Sequence, residues 1–135
     1  MQHLEKLKPV ALLLLRLGLG VIFVYHGCPK LFGPTHQQML QFAHIGFPGY
    51  FVYVAGVIEF FGGCLLFVGL FTRLAGLFLA GEMAIAIARV HVPQGGLGAV
   101  SNYQLPLALA VAAFTLVAVG AGAISFDRAI FKGKF

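Results

Sequence analysis

Two acids, Glu59 and Glu82, stand inside apolar runs where a carboxylate is costly. An ionised acid at mid-bilayer depth costs about 2.5 to 3.5 kcal/mol on insertion scales, so each needs a proton, a cation or a polar cavity. Cations are at hand. Arg16 lies in the first apolar run, Lys30 follows that run, and Arg89 comes seven residues after Glu82, on nearly the same helical face. Arg16 is the expected partner of Glu59, its long stem reaching mid-membrane; snorkelling back to the inner surface is the alternative. Glu82 and Arg89 form a charged stripe that should face the bundle interior, either as part of a site or as an ion-pair network that fixes helix register.

A second group gathers at the outer ends of the runs: Tyr25, His26, Cys28 and Lys30 after the first, Arg89 and His91 after the third. A histidine at a membrane edge can hydrogen-bond a carbonyl oxygen, shuttle a proton or ligate a metal, and alone it most simply makes an interfacial hydrogen bond. Together with Lys30 and Arg89, the two histidines suggest a site for a polar or anionic head group. Phe23, Phe47, Tyr50, Phe51, Tyr53, Phe60 and Phe61 supply aromatic walls, or simply core and interfacial belt. An aromatic slot beside a protonatable acid suits a quinone, whose flat ring needs apolar walls and whose oxygens need proton partners.

Other chemistries find little support. A bis-histidine haem on His26 and His91 has no attachment motif behind it, and His36 and His44 read as surface residues. No HExxH, paired CxxC, phosphate loop or nucleophile elbow occurs, so no metal site, hydrolase or nucleotide chemistry is expected. The net charge of +5 does not point to nucleic acid, because Lys and Arg sit mainly at the ends of apolar runs. Cys28 and Cys64 are expected at different depths, about 20 Å apart along the bilayer normal, as free thiols.

The elements that must hold these residues follow from composition. The 135 residues are 60% hydrophobic and only 10% charged, far from the roughly 25% charged residues of a soluble domain. Apolar segments at 9–26, 49–70, 74–90 and 104–121 each reach or nearly reach spanning length. The run at 50–70, with Glu59 near its middle, covers roughly 30 Å as a helix. Prolines fall at segment ends and the apolarity does not alternate, which favours helices over barrel strands. The charged N-terminus followed by an apolar run reads as an uncleaved anchor rather than a cleaved signal peptide.

Lys6, Lys8, Arg73, Arg128, Lys132 and Lys134 fall on one side, against Lys30 and Arg89 on the other, so both termini are expected in the cytoplasm. The fold expected is an all-α membrane protein: one domain, 1–135, forming a four-transmembrane-helix antiparallel bundle. Gly18, Gly20, Gly56 and Gly63, with Ala80, Ala84, Ala88, Ala108 and Ala112, should allow close helix approach or a homodimer.

The stretches LLRLGLGVIFVYHGCPKLFG at 14–33, AGVIEFFGGCLLFVGLFTRLAG at 55–76 and RVHVPQGG after Ala88 resemble the DoxX family of small four-span membrane proteins. The resemblance implies a bundle in a bacterial-type inner membrane, related to the small subunits of thiosulfate:quinone oxidoreductase and working with a redox partner protein. Arg16, His26, Lys30, Glu59, Arg73 and His91 occupy the family-like positions. Arg73, at the inner turn, reads most simply as a topology anchor.

The expected function is therefore a quinone, or a similarly flat lipophilic ligand, held between the outer halves of the first three helices. Glu59 and His26 would be the catalytic groups, with Arg16, Tyr25, Lys30, Glu82, Arg89 and His91 binding the ligand. The alternative is a non-enzymatic scaffold, or a small lipid or solute carrier, whose intramembrane charges are structural.

Overall fold

The computed structural model describes residues 2–33, 39–40, 43, 46, 48–91, 98 and 100–131. The described residues form helices and turns, with no strand among them. Four helices carry the architecture: α1 (Lys8–Phe32), α2 (Phe51–Val68), α3 (Thr72–Ala86) and α4 (Gln104–Val119). A short helix α5 (Phe126–Phe131) follows. α1 and α2 are long and apolar enough to cross a membrane, and α4 is a shorter apolar helix. α3 runs into a π-helical turn, Ile87–His91, which extends it to about 20 residues or 30 Å.

α1 begins with Pro9 in its first turn, where a missing N–H costs nothing. It does not stop at His26, as the run of hydropathy suggests. The helix carries on through Pro29 to Phe32, so Cys28 and Lys30 are helical residues rather than loop residues. Pro29 removes one backbone bond, but the Gly33 N–H closes the last turn on the Pro29 carbonyl at 2.8 Å.

The seam between α1 and α2 is built on glycine. A Cβ on Gly20 would stand 2.7 Å from the Gly63 carbonyl oxygen, and one on Gly63 would stand 2.9 Å from that of Gly20. Gly27 is equally tight against Glu59 and Phe60, and Gly56 against Lys30 and Leu31. Residues that rise along α1 therefore meet residues that fall along α2, which makes the pair antiparallel. Gly18, expected at a packing surface, meets nothing within 4 Å. α3 and α4 close on Gly76, whose position would place a Cβ 2.8 Å from the Ala113 carbonyl. Ala84, Ala88 and Ala108 are exposed, so they do not pack this bundle.

Leu19, Phe23, Leu66, Leu79, Met83, Leu109, Ala113 and Leu116 form the core between the four helices. The exterior is also apolar: Leu14, Val21, Val57, Phe61, Leu77, Phe78, Val111 and Phe114 are all exposed. A surface of that kind is stable in lipid and a liability in water.

The turn between α2 and α3 is fixed from outside. Gly69, at φ 78°, caps α2 through bonds from its N–H to Leu65 O and Leu66 O. Phe71 follows at φ 50°, a left-handed conformation that costs a non-glycine residue roughly 1–2 kcal/mol. Asp127, from α5, holds it there by accepting the N–H of Phe71 at 2.6 Å and of Thr72 at 2.8 Å.

Candidate functional site

Glu59 lies midway along α2 and is 2% exposed. Gly27 of α1 passes directly over it, because only a residue without Cβ fits against the Glu59 backbone and Cβ. One turn further along α1, the Lys30 side chain crosses Gly56 and reaches back to form an ion pair with Glu59 Oε2. From α3, Glu82 comes within hydrogen-bonding reach of Glu59 and within electrostatic range of Lys30. Three helices thus converge on one cation and two acids.

Glu82 is the half-buried flank of this triad. Its Oε2 is buried and has no hydrogen-bond partner among the described residues. The residue also lines a cavity of about 360 Å³ between α2 and α3, whose other walls include Phe51, Ala55, Ile58, Phe78, Gly81 and Ile85. Gly81 meets nothing within 4 Å, which leaves one side of this cleft open beside the carboxyl. An apolar slot with an aromatic at each end and one acid in its wall can take a flat molecule whose oxygen needs a proton partner.

Arg16 does not pair with Glu59. Antiparallel register places α1 against Glu59 at Gly27, roughly 16 Å of helix rise from Arg16. Arg16 is 1% exposed at the opposite end, where its guanidinium donates to Leu66 O at 3.3 Å and to Ile124 O. Its Nε has no hydrogen-bond partner among the described residues, and Asp127 lies within electrostatic range. Lys30, expected in the outer cluster, supplies the cation instead because α1 continues past His26 and its register brings Lys30 to Gly56.

The rest of the outer cluster disperses. Tyr25 and His26 are exposed and stack edge to face on each other, with ring centroids 5.7 Å apart. Arg89 is exposed as well. The backbone of His91 closes the π turn, while its side chain, His36, His44, Lys132 and Lys134 lie outside the described residues. Among the described residues no group of three or more His, Cys, Asp and Glu could hold a metal ion.

Cys28 and Cys64 are free and exposed, and both line one apolar groove of about 850 Å³ between α1 and α2. The expected separation of about 20 Å is too large. Gly63 packs on Gly20 and Val24, so Cys64 sits only about six residues along from Cys28, or roughly 9 Å of rise.

Sequence reasoning missed Asp127 and Gly27. Asp127 is the one aspartate in the chain, 2% exposed, and follows Ser125, whose Oγ accepts the Arg128 N–H at 3.1 Å as the cap of α5. That Ser-x-x-Arg start after a glycine-rich turn was the readable signal. Gly27 had one too: it is seven residues after Gly20, as Gly63 is seven after Gly56.

Comparison with known proteins gives a consistent picture. A family model described as DoxX matches residues 11–92. A Bacillus subtilis protein named "Putative oxidoreductase CatD" is 34% identical over 93% of this chain and 90% of its own. An uncharacterized protein of Haemophilus influenzae is 35% identical over 98% of this chain and 99% of its own. The Escherichia coli inner membrane protein YphA is 34% identical over 90% of this chain and 91% of its own. No solved structure gives a significant match.

Proposed function

The chain belongs to the DoxX family, and on that premise we propose that it binds a quinone, or a similarly flat lipophilic molecule, as a subunit or partner of a membrane oxidoreductase system. It is an integral protein of the bacterial inner membrane. In our reading it crosses that membrane four times as an antiparallel bundle with both termini in the cytoplasm.

One observation carries the proposal: Oε2 of Glu82 is buried, with no hydrogen-bond partner among the described residues, beside an apolar, aromatic-walled cleft. An unsatisfied buried polar atom costs about 1–3 kcal/mol, which a ligand hydroxyl or carbonyl at that atom would recover. Glu59, within hydrogen-bonding reach, and its ion pair with Lys30 stand behind it as a short proton relay. Reduction of a bound quinone takes two electrons, supplied by the redox partner protein, and two protons, delivered through the carboxyls to the quinone oxygens.

This reading moves the ligand from the outer halves of the first three helices to the α2–α3 cleft. Glu82 and Glu59 become the proton-handling pair and Lys30 the charge partner. Arg16 drops out because its guanidinium donates to the carbonyls of Leu66 and Ile124. The exposed Ala84, Ala88 and Ala108 would let a second copy approach closely.

The test is an organic extract of purified protein, followed by titration with a short-chain benzoquinone in proteoliposomes. Wild type should carry quinone, and Glu82→Leu should weaken binding about 10- to 100-fold, the worth of one buried polar contact. Binding unchanged in Glu82→Leu refutes the site. Arg16, whose hydrogen bonds among the described residues go to the backbone carbonyls of Leu66 and Ile124, favours a scaffold instead, for which Glu82→Leu would change stability without any quinone effect.

A further inference from the structure

The inner end of the bundle holds a cationic cavity that the quinone reading does not use. It has a volume of about 310 Å³ and is lined by Arg73 from the first turn of α3, Arg128 from α5 and the glycine turn that joins α4 to α5. Gly120 at φ 88° and Gly122 at φ 91° shape that turn, and the wall they form carries only Ala121 and Ala123 side chains. The guanidinium of Arg73 rests on Gly120, where a Cβ would meet its Nε at 3.1 Å, and its Nη2 lies 3.5 Å from the Val119 carbonyl. Space for a small anion is left between two arginines and bare backbone.

Charge balance favours that anion. Asp127 also lines the cavity, but its oxygens already accept the Phe71 and Thr72 N–H groups, and buried Arg16 lies within electrostatic range of it. Arg73 and Arg128 are exposed, and neither makes an ion pair among the described residues. The cavity therefore keeps two positive charges that no acid among the described residues answers.

Its surroundings say which anion. Val119 ends an apolar helix and Arg73 begins one, so in the proposed topology the cavity would open at the level where acyl chains meet head groups. Leu74 and Leu77 on α3, and Phe126 and Ile130 on α5, are exposed apolar groups on the same elements. A ligand with a phosphate for the arginines and hydrocarbon for these side chains is an anionic phospholipid. We propose that Arg73 and Arg128 with the Gly120–Ala123 turn form a specific site for the phosphate of an anionic phospholipid, clamping α5 against the turn before α3.

The experiment is lipid retention by native mass spectrometry on the full chain, exchanged from nanodiscs of equal phosphatidylglycerol and phosphatidylcholine. Wild type should retain phosphatidylglycerol in preference. Arg73→Gln with Arg128→Gln should lower that preference about 30-fold, the usual worth of two basic residues at an anionic membrane surface. Arg73→Lys with Arg128→Lys should keep most of it, which also guards against loss by misfolding. Lys6→Gln with Lys8→Gln, which removes two charges from the same side, should leave it unchanged. Equal loss in the Lys6 and Lys8 variant would mean general surface charge and overturn the site. So would an undiminished preference in the double arginine variant, or full displacement by inorganic phosphate, which would make the ligand a free anion.

Discussion

Lys30→Met isolates the central claim that a cation from α1 neutralises the buried acid of α2. Glu59 is 2% exposed, and the Lys30 side chain 23%, so the cation keeps some access to the head-group region while the acid keeps none. Removing one partner of a buried pair costs about 3–5 kcal/mol. The assay is reversible unfolding by denaturing detergent in mixed micelles, followed by helical circular dichroism. Lys30→Met with Glu59→Gln should recover most of the loss, because neither partner is then left charged and alone. A single variant as stable as wild type, or a double variant no better than the single one, would refute the pairing.

Three further outcomes are expected. Asp127→Ala should cost about 2–4 kcal/mol by leaving the Phe71 and Thr72 N–H groups unsatisfied, and Asp127→Asn less; thermal unfolding in detergent measures both. Gly63→Ala should destabilise by about 1–3 kcal/mol because its Cβ meets the Gly20 carbonyl, whereas Gly18→Ala, facing open space, should be neutral or stabilising in the same assay. Oxidation should leave Cys28 and Cys64 unlinked, while a bis-maleimide spanning roughly 10 Å should join them within one chain, read by mass spectrometry.

The comparison of sequence with structure turns on particular residues. Glu59 and Glu82 lie inside helices, as their places within apolar runs require, but relative depth follows only from the register of α1 on α2, as the two cysteines show. Helix ends are less legible, since hydropathy falls at His26 while the backbone remains helical to Phe32. With Lys30 read as a loop residue, Arg16 is the nearer cation for Glu59; the continued helix brings Lys30 to the acid instead.

The amino-acid sequence by itself determined the solvent, the helical class and the burial of Glu59, because each follows from transfer energies that are local to a segment. Which charge meets which was decided only by the tertiary structure. Gly20 against Gly63 and Gly27 against Glu59 set the register of α1 on α2, and that register sends Lys30 to the acid and Arg16 to the backbone of Leu66 and Ile124. The grip of Asp127 on the turn before α3 is likewise a contact between residues 55 and 56 positions apart, beyond the reach of any local pattern.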